Sequence, residues 1–287
     1  MPSACIDVGS NTTRLLVAEV DGALRPLLNR RAFTRIGSAS QGGVIPAWKV
    51  HETAAAVAGY AALAREHGCG QIVVVATAAV REARNQAELV GEVEAAAGVA
   101  VRVLSAVEEA RLAFAGATST LSGDRDERVA VVDVGGGSTE VVLGTVSGGA
   151  TWSTSLAVGS GSLADSLLRS DPPTEAELRS LGARVSEALA GLAPISARRA
   201  FAAGGSATSL GRLVGPELGA AQLEQARRVL AAQPVDALAE RFRLDPERVR
   251  LLRAGVPLLA ALSKRIGLPL EIGAGGLREG VILAMEE

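Results

Sequence analysis

The same local pattern stands twice in the chain, and this repetition constrains the fold more than any other feature. In each copy a β-rich segment ends in Asp-Val-Gly, small residues follow, and a second β-rich segment leaves. The copies read CIDVGSNTTRLLVAEV (5–20) and VVDVGGGSTEVVLGTV (131–146). Placing Asp7 on Asp133 aligns both turns and their flanking strands, which indicates an internal duplication. The sequence therefore predicts two related units, each built on a hairpin with a tight turn.

Both predicted turns are suited to bind phosphate. Successive backbone N–H groups of a tight turn can point to one side, and glycine lets the backbone approach the anion closely. An Asp at the strand end, as at Asp7 and Asp133, is placed to hold a hard cation beside it. Two such halves facing each other would form a cleft for a metal-bound polyphosphate. The residues predicted to contact phosphate are Ser10, Asn11, Thr12, Gly135, Gly136, Gly137, Ser138 and Thr139.

Two further glycine-rich segments follow predicted strands. FAAGGSATSLGRL (201–213) predicts a strand, Gly-Gly-Ser and a helix, so that Gly205 and Ser206 lie where a helix N-terminus can bind an anion. EIGAGGLREG (271–280) again places glycines between a strand and a helix start. It is interpreted either as another anion site or as a plain strand-to-helix turn.

Strand-like segments alternate with longer helical segments, which predicts the α/β class. The predicted strands are ACIDVG, RLLVAEV, QIVVVAT, VAVRVL, RVAVVDVG, EVVLGTV, RRAFAAGG and LPLEIGAG. The predicted helices, with apolar residues at three-to-four spacing, are VHETAAAVAGYAALAREHG, NQAELVGEVEAAAG, SAVEEARLAFAGATSTL, TEAELRSLGARVSEALAGL and RLLRAGVPLLAALSKRIG. LSGDRDERV (121–129) combines turn formers with a charge run, and there we divide the chain into domains 1–124 and 125–287. In SDPPTEAE (170–177), Thr174 is predicted to cap the following helix.

Composition and charge exclude several classes of protein. A chain with 48% hydrophobic and 21% charged residues is expected to fold throughout. A formal net charge of −2 argues against nucleic-acid binding and leaves only local arginine clusters for anions. Those clusters, interpreted first as solvated helix faces, are Arg25, Arg30, Arg31 and Arg35 at the front and RFRLDPERVRLLR (241–253) at the back.

The densest apolar stretch, IVVVATAAV (72–80), is too short to span a bilayer. Only two cysteines are present, in no metal-like or redox-like spacing, and no basic-then-apolar leader opens the chain. We therefore expect a cytoplasmic protein without membrane partners.

Taken together, these motifs resemble the exopolyphosphatase and guanosine pentaphosphate phosphatase family of the actin, Hsp70 and sugar kinase superfamily. The resemblance rests on DVGSNTTRLLV, ATAAVREARN (76–85), LSAVEEARLAF (104–114), DVGGGSTE, AAGGSATSL and GLREG (276–280), which occur in this order over nearly the whole chain. It implies two ribonuclease H-like domains flanking a cleft, in the short two-domain form, and a homodimer. It also implies hydrolysis of the terminal phosphoanhydride of inorganic polyphosphate.

The resemblance implies roles for individual residues. Glu109, in E-E-A-R, matches the family's catalytic glutamate, which would deprotonate the attacking water. Asp133 and Glu140 match the acidic pair of DxGGGSxE and can converge across a hairpin turn on Mg²⁺ or Mn²⁺. Asp7 is the corresponding metal-binding carboxylate of the other half. The arginines that match phosphate ligands are Arg14, Arg81 and Arg248.

Three departures from the family pattern affect the second domain. Arg248 is followed by Val249 and Arg250, where members have Ala-Asp. A His-Gly after the Gly-Gly-Ser helix is missing, and the segment 273–275 reads Gly-Ala-Gly where Ser-Asp-Trp is frequent. These changes bear on substrate choice and rate, whereas the predicted metal and base positions are intact.

Three functions remain open at the level of sequence. The first is exopolyphosphatase. The second is guanosine pentaphosphate 5′-phosphohydrolase, with guanosine pentaphosphate or tetraphosphate as ligand; aromatic residues are 2% of the chain and Tyr60 is its single tyrosine, so little is present to stack guanine. The third is a non-catalytic, alarmone-binding regulator of the stringent response, against which the intact Glu109, Asp133 and Glu140 argue.

Overall fold

The computed structural model describes residues 1–286, which form two compact units. The strands are β1 (Ser3–Val8), β2 (Thr13–Asp21), β3 (Ala23–Ala32), β4 (Gln71–Ala76), β5 (Val101–Val103), β6 (Val129–Val134), β7 (Thr139–Thr145), β8 (Gly149–Leu156), β9 (Arg199–Ala203), β10 (Glu217–Leu218) and β11 (Leu270–Ile272). The helices are α1 (Ile36–Ala39), α2 (Ala47–Glu66), α3 (Ala78–Arg81), α4 (Gln86–Ala97), α5 (Ala106–Thr118), α6 (Ser160–Leu167), α7 (Glu175–Ala188), α8 (Gly204–Val214), α9 (Ala220–Ala232), α10 (Val235–Phe242), α11 (Pro246–Ile266) and α12 (Leu277–Leu283).

The first unit is built on a five-stranded sheet of order β3-β2-β1-β4-β5. The neighbours β3, β2 and β1 pair antiparallel, and β1, β4 and β5 pair parallel. Because side chains alternate along a strand, β1 buries Ile6 against the core with α2 and α4 and buries Cys5 against the core with α5 and α12. Asp7, two residues after Cys5, therefore lies on the α5 and α12 face.

The second unit repeats this topology. Its sheet has the order β10-β11-β9-β6-β7-β8, so that β8-β7-β6-β9-β11 follows the same sequence of antiparallel and parallel pairings as β3-β2-β1-β4-β5. The short strand β10 is added antiparallel at the β11 edge. A large apolar core joins this sheet to its helices, with α11 contributing Leu252, Leu258, Leu259 and Leu262. The predicted α/β class with two ribonuclease H-like domains is confirmed.

The observed division of the chain differs from the predicted one at two places. The first unit ends at Thr120, and the residues from Gly275 onward belong to it again, whereas we predicted 125–287 as one domain. The reason is packing, since α12 lies against α5, β1 and β2 of the first unit.

Thr174 caps α7 as predicted: its side chain accepts from the Glu177 amide, and the Glu177 side chain accepts from the Thr174 amide. Among the described residues, no helix combines the length and apolarity needed to traverse a lipid bilayer.

The interpretation as solvated helix faces is wrong for the first arginine cluster and holds only in part for the second, where Arg241 of α10 is exposed but Arg248 and Arg253 of α11 are buried. Arg25, Arg30 and Arg31 lie on β3, an edge strand that the sequence prediction missed because most of its residues are exposed. In the second cluster, Arg253 of α11 is buried and donates to the carbonyls of Leu230 and Gln233 at the end of α9. A buried guanidinium there satisfies carbonyl groups that would otherwise lack a partner.

The crossing of α5 and α12 depends on glycine. A methyl group at Gly280 would overlap the Leu112 carbonyl oxygen, and one at Gly116 would overlap that of Gly276. The glycines of GLREG therefore allow the two helices to pack closely. Of the two interpretations of segment 271–280, this packing favours a plain strand-to-helix turn over an anion site. This close approach also fixes α5, the helix that carries Glu109.

We expect Gly280→Ala to lower the free energy of unfolding by about 1–3 kcal/mol, because the added methyl group must displace a helix backbone. Gly91→Ala is the matched control: Gly91 lies in α4 with nothing within 4 Å of the added carbon, and alanine there should raise the stability by about 0.5–1 kcal/mol. Urea denaturation of both variants measures the difference. Equal shifts for the two variants would contradict the tight α5–α12 contact.

Candidate active site

The two predicted turns close in the same way. The Gly9 amide donates to the Thr12 carbonyl at 3.0 Å, and the Gly135 amide donates to the Ser138 carbonyl at 3.0 Å. In both turns the donor is the first residue and the acceptor is the fourth. Each turn joins two antiparallel strands. The predicted duplication therefore extends from the strands to the hydrogen bond that shapes each turn.

Each turn is braced by a neighbouring segment of its own unit. In the first unit, the amides of Arg35 and Gly37 donate to the carbonyls of Asn11 and Ser10 at 3.1 and 2.9 Å. In the second unit, the start of α6 has this role: the Ser160 and Ser162 amides donate to the carbonyls of Gly135 and Gly136, both at 2.9 Å. These bonds engage carbonyl oxygens of the turns, so the turn amides other than those of Gly9 and Gly135 are the candidate donors to an anion.

Asp133 and Glu140 lie directly opposite each other on β6 and β7. Opposed residues of an antiparallel pair carry their side chains on one face, about 5 Å apart at Cβ. Ser155 is opposite Glu140 on β8, and its hydroxyl donates to Glu140 Oε1 at 2.8 Å. The structure thus brings the predicted acidic pair together on one face of the second sheet.

This pair fits a hard divalent cation. Within residues 1–286, no group of three or more His, Cys, Asp or Glu side chains is arranged to hold a metal. A Mg²⁺ site does not require three such side chains, since the ion is commonly bound through one or two carboxylates. Waters and substrate phosphate oxygens are its other ligands. Asp133 and Glu140 are therefore a suitable protein contribution to such a site.

Asp7 has a different partner at the corresponding place. Arg14 lies opposite it on β2 and donates to Asp7 Oδ2 from Nε at 3.1 Å and from Nη2 at 2.6 Å. Asp7 is only 2% exposed, and its Oδ1 accepts no hydrogen bond within the described part of the chain. The structure therefore places the predicted phosphate ligand Arg14 on Asp7, and the metal role of Asp7 stays a prediction.

The two neighbouring glutamates of α5 have different hydrogen-bond partners. Glu108 completes a capping box with Ser105 and accepts from Arg102 at 2.6 Å; these hydrogen bonds, Arg102 first, lower the pKa of Glu108 to about 2. Glu109 is buried, and its Oε2 accepts from Arg81 Nη1 at 2.9 Å. The same Nη1 donates to the Leu104 carbonyl at 2.8 Å. Arg81 therefore fixes the orientation of the predicted base.

The start of α8 gathers three of the predicted residues in the second unit. Gly204 has φ +82°, and a side chain there would overlap Asp133 Oδ1. At the next residue, a methyl group on Gly205 would lie 2.8 Å from Nη1 and Nη2 of Arg248. The helix N-terminus, Asp133 and Arg248 are thus adjacent. Ser206 differs from its prediction: it is 1% exposed and faces Gly255 of α11, 3.1 Å from the position of an added carbon.

Other arginines and an asparagine have roles that the sequence did not reveal. Asn85, at the end of ATAAVREARN, bonds both backbone groups of Ile45 at 2.9 Å and so holds the loop before α2. Arg278 of GLREG is buried and donates to the Leu15 carbonyl at 3.1 Å. Arg250 bonds Glu247 and Asp165, each at 2.7 Å, and is thereby engaged within the second unit. The sequence signal that could have pointed to Asn85 and Arg278 is their position in the family motifs ATAAVREARN and GLREG.

A family model, curated relatives and solved structures match most of this chain. A model of the Ppx/GppA phosphatase family matches residues 15–287. "Exopolyphosphatase 2" of Mycobacterium tuberculosis is 36% identical over 199 residues, 65% of this chain, and the match spans only 61% of that relative's length. "Exopolyphosphatase 1" of Mycobacterium leprae is 30% identical over 305 residues, covering 97% of this chain and 87% of the relative. The crystal structure of the Aquifex aeolicus member of the Ppx/GppA family gives a TM-score of 0.82 at 27% identity, covering 100% of this chain and 97% of that one.

Proposed function

The chain belongs to the Ppx/GppA phosphatase family, and from that premise we propose that it is an exopolyphosphatase that releases orthophosphate from the end of inorganic polyphosphate. The observation that carries the proposal is that the same turn occurs twice and has differently charged side chains beside it in the two units. One closed turn is flanked by two opposed carboxylates, Asp133 and Glu140, and the other by an Asp7–Arg14 pair. Carboxylate oxygens suit a divalent cation, and guanidinium and turn amides suit phosphate oxygens, which are the two needs of phosphoanhydride hydrolysis.

The proposed reaction transfers the terminal phosphoryl group to water. Glu109 accepts a proton from the attacking water, a bond forms between the water oxygen and the terminal phosphorus, and the anhydride P–O bond breaks. Orthophosphate and a chain shorter by one phosphate leave. Arg81 keeps the Glu109 carboxylate in one orientation through its bonds to Oε2 and to the Leu104 carbonyl.

The residues of the second unit would neutralise charge. Asp133 and Glu140 would hold Mg²⁺ or Mn²⁺, which when bound offsets the negative charge of the phosphate oxygens. The amides of the Gly135–Ser138 turn and the Arg248 guanidinium at the start of α8 are suited to hold neighbouring phosphates. In this proposal Ser206 contributes to the packing of α8 on α11 rather than to substrate binding.

The experiment that tests the function is a parallel assay of phosphate release. Long-chain polyphosphate, tripolyphosphate, guanosine pentaphosphate and ATP are supplied with Mg²⁺, and kcat/KM is measured for each. We expect the highest value for long-chain polyphosphate. Faster release from guanosine pentaphosphate would replace the proposal by the nucleotide phosphohydrolase. Tight binding of either ligand without phosphate release from any substrate would replace it by the regulator.

A further inference from the structure

A cavity of about 560 Å³ lies between α9 and α11 in the second unit. Its apolar walls are formed by Ala220, Leu223, Val256, Pro257, Ala260 and Leu268. Arg248 stands in the first turn of α11, whereas the cavity begins at Val256, about 12 Å further along that helix. The cavity is therefore separate from the residues of the candidate active site.

The helices that form the walls are held together at both ends. At one end β10, which leads into α9, pairs with β11, which follows α11. There the Ser263 hydroxyl also fixes the segment after α11 by donating to the Leu268 carbonyl at 2.7 Å. At the other end Arg253 of α11 donates to the carbonyls of Leu230 and Gln233 at 3.0 and 2.6 Å. The cavity is thus preformed between two fixed, antiparallel helices.

The size and shape of the cavity suit a small molecule. Ala220 and Ala260 stand on its two helix walls and are too short to fill the space between them. A volume of 560 Å³ falls within the range of about 300–1,000 Å³ that is usual for small-molecule sites. Because the segment Gly267–Pro269 lines one end, the space does not continue as a long groove for a helix of a partner protein.

The charged groups that line the cavity favour an anion. Glu224 accepts two hydrogen bonds from Arg227, at 2.7 and 2.8 Å, and one from Arg228 at 2.7 Å. These bonds, Arg227 first, lower the pKa of Glu224 to about 2, so the carboxylate is charged and already paired with two guanidinium groups. Lys264 is exposed, and its ammonium has no ion pair or hydrogen bond within the described part of the chain. Lys264 is therefore the group left to bind a ligand.

We propose that this cavity binds an amphipathic monoanion, with its apolar body between α9 and α11 and its charged head on Lys264. The chemical class is an aryl or acyl chain that ends in one carboxylate or sulfonate. An apolar cavity with one placed cation selects such a ligand, since the walls bind the body and the ammonium fixes its orientation. The inference goes beyond the proposed function and does not depend on it.

The test is fluorescence titration of the full chain with two probes. Anilinonaphthalene sulfonate carries the anionic head, and phenylnaphthylamine is the same aromatic body without it. Lys264→Gln is expected to weaken binding of the sulfonate about threefold to tenfold, the effect of one charge-assisted contact at an exposed site, and to leave the uncharged probe within about twofold. Arg179→Gln is the matched control, since it removes an exposed cation of α7, where Arg179 pairs with Glu175; both affinities should stay within about twofold.

A second pair of variants tests the position of the site. Ala260→Phe and Ala220→Phe each place a ring in the cavity, from α11 and from α9, and each should weaken both probes by about tenfold or more. Because the two residues lie on different helices, one variant serves if the other does not fold.

Three results would overturn the inference. Unchanged probe binding in the folded phenylalanine variants would place the probes elsewhere on the protein. Equal effects of Lys264→Gln and Arg179→Gln on the sulfonate, or equal effects of Lys264→Gln on both probes, would remove the anion contact. A wild-type protein that binds neither probe saturably would leave the space between α9 and α11 to a partner protein.

Discussion

Glu109→Gln is expected to lower kcat for polyphosphate hydrolysis by about 10²–10⁴, the usual contribution of a general base. The glutamine oxygen can still accept from Arg81 Nη1, which bonds Glu109 Oε2 at 2.9 Å, so the side chain keeps its place. It cannot take the proton of the attacking water. Since deprotonation belongs to the transition state, KM should change little.

Glu108→Gln is the matched control for this measurement. Glu108 is the adjacent residue of α5 and undergoes the same change, but it caps the helix and accepts from Arg102. Glutamine can also serve in a capping box, so turnover should stay within about twofold of wild type. Turnover of Glu109→Gln in that same range would remove Glu109 from the role of base.

Asp133→Asn and Glu140→Gln are expected to lower metal-dependent turnover by about a hundredfold or more, because each removes one negative oxygen ligand of a hard cation. Calorimetric titration with Mg²⁺ gives a readout independent of turnover, and both variants should bind the ion more weakly than wild type. The core should be unaffected, since both side chains lie beside the turn at the ends of their strands.

Glu271→Gln is a control for the loss of a carboxylate in the same unit. Glu271 forms a two-bond ion pair with Arg199, at 2.9 and 2.8 Å, on the strands β11 and β9. Its loss should leave Mg²⁺ binding unchanged. If Asp133→Asn and Glu140→Gln also bound Mg²⁺ as the wild type does, the cation would have to be held elsewhere.

Patterns within a short stretch were predicted well. The strand–turn–strand repeat, the alternation of strands and helices and the Thr174 cap all follow from residues a few positions apart. The edge strands β3 and β8 were missed, because an edge strand exposes much of its length and lacks a run of buried apolar residues. The glycines of GLREG show the same limit, since the sequence does not distinguish a glycine for phosphate from one for helix packing.

The sequence by itself determined the class of the fold, its duplication, the family and the residue types beside each turn. Only the tertiary structure decided their partners: Arg14 is held on Asp7, Arg81 on Glu109, and Arg278 on β2. The tertiary structure also showed that α12 packs in the first unit, where Gly280 lies close to the Leu112 carbonyl. The physical reason is that hydrophobic period and turn chemistry act over a few residues, whereas an ion pair or a helix crossing joins residues far apart in the chain and depends on how the sheets and helices pack.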